Sequence, residues 1–332
     1  MSKIKGKRVL VTGAHGFIGS YLIEALVNEG AKVTTFDLYR SWESWSPLKD
    51  ARGIEKKYET LFGDVRDPYL CLNLVENKEI IFHLAALMSV PYSYVAPRSF
   101  FETNILGTVN LLEAARRSNN LERFVLTSTS ETYGSAIYSP MDENHPIQAQ
   151  SPYAASKAGA DRAAMSYYLS FGTPVTILRP FNNFGPRQSA KAIIPTIISQ
   201  LLSDKVKKVK LGSLSPMRDY TYAADTAEAF IEVATSQKTI GEILNSGAGK
   251  GVSIKEVYDL ACDIIGVKKE VITDETRIRP QKSEVWKLVC NNRKIKELVG
   301  WSPKTTFKKG LEKTISWIKE NQEYYRPEIY NI

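Results

Sequence analysis

The segment 8–37 constrains the fold more than any other part of this chain. Arg8-Val9-Leu10-Val11-Thr12 is an apolar run ending at Gly13, and Gly16 and Gly19 follow at intervals of three. An amphipathic stretch continues to Asn28 and is stopped by Gly30; a second apolar run, 32–36, ends at Asp37. The pattern predicts strand, tight glycine turn, helix and strand, closed by an acid. Glycines at those positions permit the turn and let the backbone approach a pyrophosphate at the helix N-terminus. Asp37 falls roughly at the ~20-residue spacing expected of a carboxylate that binds ribose hydroxyls. The segment therefore predicts a dinucleotide site. A carboxylate there repels a ribose phosphate, which favours NAD over NADP, and Arg40 would soften that preference.

The alternation continues. Strands are predicted at 58–62, ending at Gly63-Asp64, at 80–84, followed by Ala85 and Ala86, at 123–127 and at 175–178, with a long helix over 100–118. Strands separated by helices predict an α/β fold, a Rossmann-type doubly wound parallel sheet. Ligands bind such sheets at the carboxyl ends of the strands, where Gly13, Asp37, Ala85 and Thr129 all fall. The 332 residues suffice for a sizeable core. Three cysteines (Cys71, Cys262, Cys290) and three histidines show no metal spacing. They predict no metal site and a reducing compartment, and with no apolar stretch long enough for a signal peptide or membrane span the expectation is a cytoplasmic protein. The net charge of +8 suits either an anionic substrate or solubility alone. The lysines near 205–210 lack interleaved aromatics and read as a solvated loop or edge strand, not a nucleic-acid surface.

The chemistry is carried by 127–157. Thr127-Ser128-Thr129-Ser130-Glu131 follows an apolar run, and Tyr153-Ala154-Ala155-Ser156-Lys157 opens a helix after Pro152. Residues four apart share a helix face, so Tyr153 and Lys157 point the same way, and the ammonium is expected to lower the phenol pKa. A phenolate beside the Thr129 hydroxyl can take a proton from a sugar alcohol. Glu131 adds a base that simple alcohol oxidation does not need. Either pair alone arises often as an exposed helix pair or a polar turn; together, after a dinucleotide fingerprint, they point to a catalytic site.

These motifs resemble the extended short-chain dehydrogenase/reductase family, specifically its NAD-dependent sugar-nucleotide epimerases, dehydratases and decarboxylases. The resemblance spans nearly the whole chain. It includes Asn104-Ile-Leu-Gly107-Thr-Val-Asn110, Arg179-Pro180-Phe181-Asn182-Asn183-Phe184-Gly185-Pro186-Arg187, Arg218-Asp219-Tyr220 and Arg277-Ile-Arg279-Pro280. It implies cofactor contacts from Gly13, His15, Gly16, Phe17, Ile18, Gly19, Asp37, Asp64, Val65, Leu84, Ala85, Ala86, Thr127, Tyr153, Lys157 and Pro180. It implies substrate contacts from Met88, Ser89, Asn182, Arg187, Arg218 and Arg279, the arginines suiting a diphosphate. His15 reads as packing or a filler beside the phosphates, His83 as a strand residue, and Trp42 and Trp45 as either a site cover or surface packing.

The Thr129-Ser130-Glu131 triplet is similar to nucleotide-hexose 4,6-dehydratases. Tyr39 with Ser44-Trp45, Pro91-Tyr92-Ser93-Tyr94 and the segment 279–285 resemble those acting on nucleotide-linked N-acetylglucosamine. The resemblance implies that Tyr153, assisted by Lys157 and Thr129, removes the C4 hydroxyl proton as hydride passes to a tightly held NAD. Glu131 then takes the C5 proton as water leaves from C6, and hydride returns to C6. Ser130 either relays a proton through water or leaves Glu131 to protonate the departing hydroxyl. A UDP-glucuronate decarboxylase also carries a Ser-Glu pair; a 4-epimerase would leave Glu131 without a task; a non-catalytic NAD-binding or RNA-associated protein would not need the full catalytic set.

Residues 1–185 are expected to form the NAD-binding domain, with 219–246 returning to it through a strand near 243–245, and 186–332 a smaller α/β substrate lobe. Helices are predicted at 192–203, 223–236, 253–265, with a capping box of Ser253 and Glu256, and 307–320. By analogy with the family, helices at 100–118 and 152–170 pair across a homodimer as a four-helix bundle.

Overall fold

The structure, a computed structural model, describes residues 2–38, 46–51, 53–54 and 57–331. Tyr39, Arg40, Trp42, Ser44 and Trp45 lie outside the described residues. The first half alternates strands and helices as β1 (Arg8–Thr12), α1 (Phe17–Asn28), β2 (Lys32–Asp37), β3 (Tyr58–Phe62), α2 (Pro68–Val75), β4 (Ile80–His83), α3 (Val90–Val95), α4 (Pro97–Phe101), α5 (Gly107–Arg116), β5 (Arg123–Thr127), α6 (Pro152–Phe171) and β6 (Val175–Pro180). A later strand, Ile243–Ser246, joins β6 at the edge, and the order continues β6, β5, β4, β1, β2, β3, every neighbour parallel. The order reverses between β1 and β4, which is where a doubly wound sheet opens a crevice at its carboxyl edge.

Alternation of side chains builds two cores, one on each face of the sheet. Val9, Val11, Phe82 and Val125 point to one side and pack with Leu22, Leu26, Phe230 and Leu244. Leu10, Ile81, Phe124 and Leu126 point to the other and pack with Leu74, Leu111, Ala160 and Ala164. The strands are short apolar runs because both faces are covered.

The remaining elements are β7 (Asn182–Phe184), α7 (Ile193–Leu202), β8 (Val209–Leu211), β9 (Met217–Tyr222), α8 (Ala223–Thr235), β10 (Ile243–Ser246), β11 (Gly251–Ser253), α9 (Ile254–Ile265), β12 (Val271–Thr273), β13 (Lys287–Leu288), α10 (Arg293–Val299) and α11 (Phe307–Glu320). β10 and α8 belong to the large sheet and its first core. β7, β9, β11 and β13 form a small sheet, and a separate core gathers Phe184, Ile197, Leu201, Tyr220, Val257, Leu311 and Ile315. Ser253 and Glu256 cap α9 reciprocally. The lysine-rich stretch ends in β8, which pairs with β12.

The predicted helix over 100–118 differs in the structure. It starts earlier, as α4, and is interrupted by a π-helical turn, Glu102–Leu106, before α5. The cause is local: the Asn104 carboxamide accepts from the Leu87 amide (2.8 Å) and donates to the Leu87 carbonyl (3.0 Å) and to Ser156 Oγ (2.9 Å). One side chain thereby ties the loop after β4 to α6, and π turns of this kind concentrate at functional sites.

Candidate active site

The strand ends are held in register: Thr12 pairs with both Phe36 and His83, and Thr127 with Leu178. The loops after β1 and β4 then meet backbone to backbone. A Cβ on Gly13 would lie 2.7 Å from the Ala85 nitrogen and 2.8 Å from the Leu84 carbonyl carbon, and Gly13 also has φ +72. A Cβ on Gly19 would lie 2.4 Å from the Gly13 oxygen. These positions therefore require glycine, and the bare turn at the N-terminus of α1 fits a pyrophosphate. Phe17 and Ile18 open that helix.

Asp37 stands at the end of β2, and both its oxygens are engaged by His15: the His15 amide donates at 3.0 Å and Nδ1 lies at 2.7 Å. His15 is thus the residue that orients the Asp37 carboxylate, a role the sequence reading did not assign. Asp64 is gripped by the Arg66 guanidinium (2.6–3.0 Å), which holds its carboxyl below the usual range. Val65 is buried, and its carbonyl accepts from Asn110 (3.0 Å). Leu84, Ala85 and Ala86 line the loop after β4, with the Ala85 amide donating to Thr12 Oγ1 (3.2 Å).

Pro152 begins α6 and the Ser151 side chain caps it, accepting from the Ala154 amide at 3.1 Å. Tyr153 and Lys157 therefore sit one turn apart facing the end of β5. Thr129 caps the short turn Ser130–Tyr133, its oxygen accepting from the Glu131 amide at 3.2 Å. A hydrogen bond also joins Thr129 to the Tyr153 phenol. Thr129 thus holds the Glu131 backbone and acts on the Tyr153 phenol, while the Glu131 charge raises that same phenol. Ser130 is only 2% exposed and is less accessible to a substrate than Thr129 or Glu131.

The expected lowering of the phenol pKa by Lys157 is not found. Burial pushes Tyr153 up to about 12, the Thr129 hydrogen bond opposes this, and the charges of Glu131 and Asp161 add to the rise. Burial also lowers Lys157, to about 8, with Asp161 acting the other way. In a site this enclosed, loss of water outweighs the attraction between two neighbours.

The structure also shows a buried network that the sequence reading missed. Asp161, one turn beyond Lys157 on α6, accepts from Arg179 Nε (3.0 Å) and Nη2 (2.8 Å) and from Ser128 Oγ (2.8 Å). Arg179 Nη1 donates to the Tyr133 hydroxyl (2.9 Å), which donates to Asn245 (2.8 Å). The signal was present: 153, 157 and 161 repeat at four-residue spacing.

The predicted substrate residues divide. Arg279 reaches the site, Nη1 lying 3.5 Å from the Glu131 carboxylate. Arg218 is buried on β9 and lies 3.5 Å from Glu284. Asn182 is half-buried on β7, Met88 is exposed, and Ser89 caps α3. Arg187 does not join them: its guanidinium stacks on Tyr21 of α1 (4.1 Å) and pairs with Glu24. The glycine-proline turn before it, with φ +69 at Arg187, swings the side chain toward α1. Thr127 and Pro180 are the last residues of β5 and β6. Among the described residues no group of three or more His, Cys, Asp or Glu could hold a metal ion, and no helix is long and apolar enough to cross a membrane.

The crevice, the glycine turn and the Tyr-Lys pair define a dinucleotide-dependent enzyme of the short-chain dehydrogenase/reductase type. The chain belongs to the family whose model is described as GDP-mannose 4,6 dehydratase, matched over residues 10–314. It is 34% identical to human dTDP-D-glucose 4,6-dehydratase over 330 residues, covering 95% of this chain and 91% of that protein. Among solved structures it is similar to DesIV, a dTDP-glucose 4,6-dehydratase of Streptomyces venezuelae crystallised with NAD, at TM-score 0.86 and 29% identity, covering 96% and 99% of the two chains. It is equally similar in fold to a Bacillus cereus UDP-glucuronic acid 4-epimerase variant bound to NAD and a fluorinated substrate analogue, at TM-score 0.86, 26% identity and coverage of 95% and 99%.

Proposed function

We propose that this protein is an NAD-dependent nucleotide-sugar 4,6-dehydratase that converts an NDP-hexose, UDP- or GDP-linked N-acetylglucosamine, to its 4-keto-6-deoxy form. The observation that carries this reading is a second base, Glu131, whose charge acts on the Tyr153 phenol, on the turn that Thr129 caps by accepting from the Glu131 backbone amide. Gly13, Gly16, Gly19, Asp37 and Asp64 would hold the NAD, with Ala85 and Ala86 leaving it room. NAD, when bound, supplies the acceptor and later the donor of hydride.

Tyr153 in its ionised form takes the C4 hydroxyl proton; the Thr129 hydroxyl favours that form against the burial that raises the phenol. The C4 ketone acidifies the hydrogen at C5, and Glu131 removes it while hydroxide leaves C6. The same carboxyl, then protonated, is the nearest acid to return a proton to that hydroxide, since Ser130 is buried. Arg279, beside Glu131, would close the sugar end, and Arg218, beside Glu284, would bind the diphosphate. A second reading, UDP-glucuronate decarboxylation, draws on Arg279, a cation placed beside Glu131 that suits a C6 carboxylate. We place the protein in the cytoplasm, supported by three unpaired buried cysteines. A homodimer through α4, α5 and α6 is supported by exposed Phe101, Leu106, Leu169 and Phe171.

The test is mass spectrometry of the products from UDP- and GDP-linked N-acetylglucosamine, glucose, mannose and UDP-glucuronate in heavy water. Loss of one water with deuterium at C5 supports dehydration and names the donor. Loss of carbon dioxide from the glucuronate would establish the second reading instead.

A further inference from the structure

A cleft of about 320 Å³ has Arg279 in its wall, together with Pro91, Tyr94, Arg277, Pro280 and Tyr330 among others. Its outer wall comes from a segment far from the catalytic turn. Tyr325 is buried in the smaller lobe, and its hydroxyl donates to the Gln188 carbonyl at 2.8 Å. Beyond that anchor Glu328 and Ile329 are exposed, yet Tyr330 turns inward and lays its ring 4.5 Å from the Arg277 guanidinium. Arg277 is itself fixed by Asp274 (2.9 Å) and its side chain is only 9% exposed. Tyr94 and Arg279 line the same cleft as Tyr330. Tyr94 is pinned in turn by Ser283 Oγ at 2.5 Å.

We infer that Tyr330 is a specificity-determining wall of the substrate cleft and contacts the nucleoside end of a nucleoside diphosphate sugar. The inference rests on the nucleotide-sugar reading above. The sugar end is set by Tyr153 and Glu131, and Arg279 reaches Glu131. An extended substrate running outward from there meets Arg279 first and then Arg277 and Tyr330. Two guanidiniums beside an aromatic ring are the chemistry that holds a diphosphate followed by a flat heterocycle.

The experiment is calorimetric titration of the NAD-loaded protein with UDP, GDP and dTDP, comparing the unaltered chain with Tyr330→Ala, Tyr330→Phe and Ile329→Ala. Tyr330→Ala should weaken the tightest nucleotide about tenfold, a loss of ~1.4 kcal/mol. Tyr330→Phe should stay within about twofold, because the ring and not the hydroxyl makes the contact. Ile329→Ala should bind as the unaltered chain does. In turnover Tyr330→Ala should raise KM by the same factor and leave kcat unchanged. Unaltered nucleotide affinity in Tyr330→Ala would overturn the inference, as would an equal loss in Ile329→Ala. Dehydration with an unchanged KM in Tyr330→Ala sinks the inference alone. A Tyr330-dependent nucleotide affinity without turnover of any donor sinks the dehydratase reading alone.

Discussion

Replacing Asp161 by asparagine removes one charge from a pair in which both side chains are 2% exposed. Arg179 would keep its cation in the interior with a neutral amide in place of the carboxylate that accepts two of its donors, at 2.8 and 3.0 Å. Leaving one member of a buried pair uncompensated costs about 3–5 kcal/mol. The substituted amide still offers one oxygen, so a loss near the lower end, about 3 kcal/mol, is expected. With an unfolding entropy of about 2.1 cal/mol/K per residue over 332 residues, that corresponds to a Tm drop of about 4 °C. The assay is thermal unfolding followed by circular dichroism, alongside a double variant, Asp161→Leu with Arg179→Met. Removing both charges should recover much of the loss, since a desolvated pair contributes little net stability. A second readout is the pH profile. The Asp161 carboxylate raises Lys157 against the burial that lowers it to about 8. Without that charge the ammonium is lost at lower pH, and the alkaline limb of activity should move down. A Tm change under about 1 °C, or a double variant weaker than the single one, would refute the argument.

Two other perturbations probe the nucleotide half. Gly19→Ala places a Cβ 2.4 Å from the Gly13 oxygen and 2.7 Å from the Ala14 oxygen, both backbone atoms. The turn must open, and NAD affinity measured by titration should fall at least about tenfold, since about 1.4 kcal/mol suffices for that factor. His83 bridges Thr12 Oγ1 (2.7 Å) and Thr108 Oγ1 (3.0 Å). Burial, helped by the Lys157 charge, lowers it from 6.5 to about 3. The unfolded chain therefore takes up this proton first, and stability falls as pH drops from 6.5 toward 3. Between about pH 7 and about pH 5 the unaltered protein should lose about 2 kcal/mol more than His83→Gln. Parallel denaturation curves at both pH values would contradict it.

The large sheet was legible because its strands are apolar runs buried on both faces and its turns carry glycines that nothing else can replace. Gly13 and Gly19 could be named from spacing alone, since their constraint is backbone proximity. Tyr153 and Lys157 were legible from helical periodicity, but their protonation was not. Sequence shows that two groups share a face; it does not show how much water surrounds them, and burial decides the direction here. Arg187 shows a contact that its sequence position does not reveal. Its place at the end of the 179–187 motif suggests a substrate contact, and the structure adds a stack on the Tyr21 ring of α1 and an ion pair with Glu24. The short strands β7, β11, β12 and β13 were not foreseen, because runs of two or three residues carry too little periodicity to detect.

The claim at the centre of this account is that Glu131 removes the C5 proton after C4 has been oxidised. Its most direct test is a single-turnover experiment on Glu131→Gln with the donor that the mass-spectrometric assay names, following reduced-nicotinamide absorbance and product mass together. The account predicts that C4 oxidation persists, so that reduced cofactor and the 4-keto hexose accumulate, while water loss slows by roughly 10²–10⁴-fold. Elimination at the rate of the unaltered protein, with no build-up of reduced cofactor, would contradict it.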